Sequence, residues 1–215
     1  MGRNLFYFIS ISCVFVFIVS CSNAKNKQEK EIKESIKYLK SEDSLVRIKA
    51  RNDIASYKNQ AIKPLYEFLS ENKDDNLLKE GILCLAEIKT EESASALILF
   101  LRKTHNLPNE ISDALVRIGK PSVNPLFSAY SYDEHYVREF VIGALNNLIN
   151  DIPIDYKTTG DIKNFFIKAF KENNLVSVKK MALISLMRFK DDEDVKPVIE
   201  SALTDKNRAI RELAK

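Results

Sequence analysis

The chain predicts an all-α protein, built as a series of stacked helix pairs. Three observations carry that expectation. One apolar spacing, with residues at 0, +3, +4 and +7, recurs five times: Ile62/Leu65/Tyr66/Leu69, Ala94/Leu97/Ile98/Leu101, Val123/Leu126/Phe127/Tyr130, Ile162/Phe165/Phe166/Ala169 and Val195/Val198/Ile199/Ala202. That spacing is one face of a helix, and copies at steps of roughly 30–40 residues mark a repeat architecture. Proline stands at the same place in three copies, as Pro64, Pro125 and Pro197. Its missing N–H costs nothing in the first helical turn, so these prolines mark helix starts. Composition agrees: 5 glycines, no tryptophan, 29% charged residues of both signs, and no strand-like alternation.

The first element is a leader. Met1-Gly2-Arg3-Asn4 carries one positive side chain, and Leu5 to Ser20 is uncharged and rich in Phe, Ile and Val. A basic start, an apolar stretch and small residues before a cut site make a secretory signal. The run of about 16 residues is short against the ~20 that cross a bilayer as a helix. Ile18-Val19-Ser20-Cys21 resembles the bacterial lipoprotein lipobox. The resemblance implies that the Cys21 thiol receives a diacylglycerol and that the chain is cut before it. It also implies that the new amino group is acylated, with palmitate-type chains. Several acyl chains, at about 0.8 kcal/mol per buried methylene, hold a soluble domain where one does not. N-myristoylation is a poor fit, because Phe6 stands where Ser or Thr is expected.

The expected organisation is therefore a signal peptide over 1–20, a lipidated cysteine and flexible tether over 21–29, and a repeat domain over 30–215. By the lipoprotein resemblance, Ser22 after the cysteine, rather than Asp, implies the outer membrane in a cell with two membranes, and the lipid implies an anchored place in the bacterial cell envelope. Loss of Cys13 with the leader and lipidation of Cys21 leave Cys84 alone of the 3 cysteines. No internal disulfide can then form, and its apolar helical surroundings predict a packed core thiol.

The repeat domain opens with an expected capping helix over Lys30 to Leu39, through Ile32, Ile36 and Leu39. A first helix then precedes each second helix. Its pattern is an Asp or Asn turn, an apolar-basic pair, then small or apolar residues at helical spacing. Asp43 leads to Val46-Arg47, Ala50 and Ile54; Asp75 to Leu78-Lys79, Ile82 and Ala86; Asp133 to Val137-Arg138, Val141 and Leu145; Asp205 to Ile210-Arg211 and Ala214. Val178-Lys179 starts another. The copy around Asn109 to Ile118 departs from the pattern, with Pro108 where the pair should begin. The fourth copy carries an insertion over Asn150 to Gly160.

Over Ser41 to Lys215 this unit resembles the HEAT repeat, in the bacterial variety related to the repeats of phycobilisome lyases. The resemblance implies an α-α superhelix of about five helix pairs. First helices form its convex side and proline-bearing second helices line its concave side. Asp43, Asp75, Asp133 and Asp205 are expected as helix N-caps, and Arg47, Lys79, Arg138, Lys179 and Arg211 as ladder residues between turns.

No catalytic constellation stands out. His105 and His135 are isolated, so no zinc pattern forms. No phosphate loop occurs, and no metal or other cofactor is implied. Asp191-Asp192-Glu193-Asp194 lacks calcium-loop spacing and reads as a turn before a helix. Net charge of +3 falls by one with Arg3 and is scattered, which disfavours nucleic acid. The expectation is a non-catalytic, membrane-tethered scaffold for a protein or peptide partner. The alternative is a small-molecule-binding, lyase- or chaperone-like repeat protein. Candidate contact residues are Lys63, Asn124 and Lys196, the exposed steps beside the prolines, with Tyr132 and Tyr156. Tyr130 and Tyr136 are expected at the edge of the core.

Overall fold

The protein is described by a computed structural model, over residues 26–215. Among these residues it is all-α, with helix pairs following one another along the chain. Residues 26–37 form α1, followed by a 3-10 turn at Tyr38–Lys40. The five pairs are α2 (Ser44–Ser56) with α3 (Ile62–Glu71), α4 (Asp75–Ile88) with α5 (Glu91–Thr104), α6 (Pro108–Ile118) with α7 (Val123–Ala129), α8 (His135–Asp151) with α9 (Tyr156–Glu172), and α10 (Val176–Leu186) with α11 (Lys196–Leu203). The short α12 (Arg208–Leu213) follows. First helices pack on first helices, α2 on α4, α4 on α6, α6 on α8, α8 on α10 and α10 on α12. We call this the A layer. Second helices form a B layer, in which α3 meets α5 and α5 meets α7. This is the solenoid that the repeat spacing predicts, since one amphipathic pair cannot bury its apolar face alone.

One core runs the length of the stack, from Ile32 to Ala214. The expected stripes supply much of it: Leu65, Leu97, Leu126 and Val198 are fully buried, each at the +3 place of its copy. Cys84 lies in this core at 0% exposure, and burial pushes its thiol far above its ordinary pKa. Gly81 lets α4 approach α3 closely. A Cβ there would stand 2.7 Å from Leu69 Cδ2. The α6 helix ends at Gly119, whose φ of +82° is a conformation that favours glycine.

Several boundaries differ from expectation. Residues 26–29, expected in the tether, are helical, because Glu29 pairs with Lys33 at 2.7 Å one turn on and Gln28 bonds Gln60. Of the expected N-caps, Asp43 accepts from the Leu45 N–H at 2.8 Å as foreseen. At α4 the cap is Asp74, one residue earlier than Asp75. Asp133 is fully exposed, and α8 starts after Glu134 instead. Asp205 leaves the cap of α12 to Asn207 and turns to Lys179. The insertion is largely helix, with only 152–155 between α8 and α9 left out, where Pro153 cannot continue α8. Cys21 lies outside the described residues.

Candidate interaction surface

The A layer is cross-linked by the expected ladder residues, and they divide by chemistry. Arg47, Arg138 and Arg211 each turn back to a carbonyl six residues earlier: Ser41 O at 2.8 Å, Tyr132 O at 3.0 Å and Asp205 O at 2.7 Å. The guanidinium fork lets Arg47 hold Glu42 O and Glu80 at the same time. Lysine at this register reaches forward to the next repeat instead: Lys79 to Glu110 at 3.0 Å and Lys179 to Asp205. Other bridges follow the same logic. Arg102 meets Glu134 at 2.6 Å, and Lys163 of α9 clamps Asp192 and Asp194 at 2.7 and 2.9 Å. The acidic run 191–194 is thus a turn tied to α9 by a lysine. Hydrogen bonds from these cations hold Asp205, Asp194, Glu110 and Glu134 below the ordinary carboxylate range, while Asp192 holds Lys163 above that of lysine. These charges are occupied by structure.

The B layer is different in the middle. There α7 is a single short helix between the longer α5 and α9. Its neighbour α9 starts within the insertion, and its buried stripe is Ile162, Phe166, Ala169 and Phe170. Phe165, expected inside, is rotated out to partial exposure. It stacks on Phe127 at 4.9 Å between ring centroids and meets Tyr130 edge-on at 4.8 Å. Asn173 donates to the Tyr130 hydroxyl at 3.0 Å and fixes that ring. The three half-buried rings form a platform between α7 and α9.

Two depressions open on either side of this platform, and both touch Phe127. One, of ≈ 490 Å³, lies among the starts of α5, α7 and α9, with Glu91, Asn124, Lys157 and Asp161 on its wall. The other, of ≈ 480 Å³, is floored by Tyr130 and Phe165 and rimmed by Lys168, Glu172 and Asn173. Asp155 caps α9 beside the first depression. Hydrogen bonds from Lys120, at 2.9 Å, and from the Thr158 N–H and hydroxyl hold its carboxyl far below the ordinary range.

The candidate contact residues do not converge. Asn124 lines the first depression and donates to Glu91 at 3.1 Å. Tyr156 is the first residue of α9 and 95% exposed. Lys63 is exposed on a separate hollow between α1 and α3, near Glu67. Lys196 is exposed at the start of α11. Tyr132 lies half-buried under the Arg102 guanidinium, 4.3 Å from its ring centroid. Tyr136 donates to Arg102 O at 2.7 Å and stacks on His105, as a residue at the edge of the core does. Phe127 and Phe165 were the residues that the sequence concealed. Aromatic side chains at +4 and +3 of consecutive copies were the available sign.

The fold defines the class, an all-α helical-repeat solenoid. No family model and no curated protein sequence matches the chain. Solved structures that it is similar to include three designed proteins. An engineered protein from a structural genomics consortium is 19% identical, with a TM-score of 0.43, over 86% of this chain and 93% of that one. A designed armadillo repeat protein in complex with the peptide (KR)4 is 16% identical, with a TM-score of 0.43, over 86% and 96%. A computationally designed armadillo repeat protein for modular peptide recognition is 14% identical, with a TM-score of 0.41, over 85% and 96%. The fold itself rests on the helix pairs described above.

Proposed function

We propose that this chain is a non-catalytic interaction scaffold of the bacterial cell envelope, tethered through a lipid on Cys21. The observation that carries the scaffold reading is the platform of Phe127, Tyr130 and Phe165. Aromatic rings left half-exposed, locked by stacking and by Asn173, offer rigid contact area at low entropic cost. The two depressions beside them accept side chains of a protein or peptide lying across α7. Their rims carry both charge signs, which suits a polypeptide of mixed sequence. The lipobox-like Ile18-Val19-Ser20-Cys21 supports the tether.

Two experiments test the two halves. Metabolic acyl label enters the wild type and is lost in Cys21→Ala; equal labelling of both removes the tether. In-cell crosslinking and purification of the wild type recovers one defined envelope protein, which Phe165→Ala with Tyr130→Ala no longer recovers. Unchanged recovery by that variant removes the platform.

A further inference from the structure

The start of the stack carries a second exposed apolar surface. Tyr38 is 54% exposed, Leu45 72% and Ile48 43%. The repeat explains why Leu45 and Ile48 are uncovered. Their counterparts one repeat on are Leu77 and Glu80 of α4. Glu80 faces α2, where Arg47 and Arg51 hold it, and Leu77 packs against the core. On α2 the same side of the helix faces outward, because no A-layer helix precedes α2 among the described residues. A solenoid end of this kind calls for a polar surface, and here two large aliphatic side chains stand on it.

The neighbouring charges are of both signs. The side of α1 opposite the buried Ile32 and Ile36 carries Lys27, Lys30 and Lys37 with the acids Glu31 and Glu34, and Lys27 pairs with Glu31 and Lys37 with Glu34. Lys40 and Lys49 are also exposed, against Glu42 and Asp43. The chain before α1 supplies the occupant. Only residues 22–25 separate Cys21 from the helical residue 26. Even fully extended, that segment spans at most ~18 Å. A lipid on Cys21 therefore keeps the start of α1 within ~18 Å of the bilayer, and brings the first layer of the stack within reach of the lipid surface.

We infer that Tyr38, Leu45 and Ile48 form a membrane-docking patch that seats the first layer of the solenoid on the lipid surface. The inference rests on the tether reading of Cys21. Aliphatic side chains enter the headgroup boundary, an aromatic ring sits at its level, and flanking lysines reach lipid phosphates. Docking orients the stack, so that the α7/α9 platform stands away from the membrane by several repeats instead of tumbling on its tether.

The test uses the full-length protein, purified with its lipid and reconstituted into vesicles of phosphatidylcholine and phosphatidylglycerol. A nitroxide is placed at Ile48→Cys and, as a control, at Ile184→Cys on α10, which is also exposed. Cys84, fully buried, does not take the label. Collision rates with oxygen and with a soluble nickel chelate report lipid contact. The inference predicts that the oxygen-to-nickel ratio rises several-fold at 48 on reconstitution and stays unchanged at 184. Adding Leu45→Glu abolishes the rise. An aqueous ratio at both sites, in protein whose mass shows acylated Cys21, overturns the patch and leaves the tether standing. Dipolar broadening at 48 without lipid contact overturns it in favour of a second copy of the chain. Absence of acyl mass at Cys21 removes the tether and the inference with it.

Discussion

The A and B layers are made from the same repeat and end in different states. Along the A layer each helix packs on the next, and basic side chains lock successive turns to carbonyls and carboxylates. In the B layer the short α7 and the rotated α9 leave rings and depressions partly open. Where stacking is complete, charge and apolar area are consumed by the fold. Where one helix is short, the same kinds of residue remain available. On the proposed reading, structural work falls mainly to one layer and partner recognition to the other.

That contrast breaks most readily in the core of the A layer. Leu145 of α8 is fully buried, so Leu145→Ala lowers unfolding free energy by about 2–5 kcal/mol, read by chemical denaturation. Gly81→Ala comes next. The new methyl group meets buried Leu69, and overpacking costs about 1–3 kcal/mol with a lowered Tm. Arg47→Lys removes a fork that serves two carbonyls and Glu80, at about 1–2 kcal/mol in the same assay. Lys168→Glu on the platform rim sharpens the comparison from the other side. It alters stability by less than about 0.5 kcal/mol, because Lys168 is exposed, yet it weakens partner recovery.

The ladder also sets a pH dependence. Asp205, Asp194, Glu110 and Glu134 have folded pKa values below their unfolded ones. Their contribution is present above the unfolded carboxylate values, near ~4. It is lost as pH falls below that range through the folded values. Asp205→Asn takes one group out of this set, so its acid unfolding curve is shallower than that of the wild type.

Much of this is readable from residue order. The apolar-basic pair locates Arg47, Lys79, Arg138, Lys179 and Arg211, though not the bridging Arg51, Arg102 and Lys163, and the prolines at 64, 125 and 197 lie in the first turns of α3, α7 and α11. Finer features depend on three-dimensional fit. Asp74 and Asp75 are adjacent, and which one caps α4 follows from where the preceding turn lets the helix begin. The register of α9 is legible in part: Ile162, Phe166 and Ala169 of the expected stripe are buried, but the helix starts inside the insertion, so the frame of earlier repeats does not fix which of Phe165 and Phe166 turns inward. Phe165 therefore passed for core. Arginine and lysine at one repeat position were equivalent by charge, and only the fork of arginine sends it back to its own turn.

The most direct test of the division between layers is site-specific photocrosslinking in intact cells, with a photoreactive residue in place of Lys168 on the platform rim or of Ile184 on the A layer. The account predicts one defined adduct from position 168 and none from 184. The same adducts from both positions, or none from 168, would contradict it.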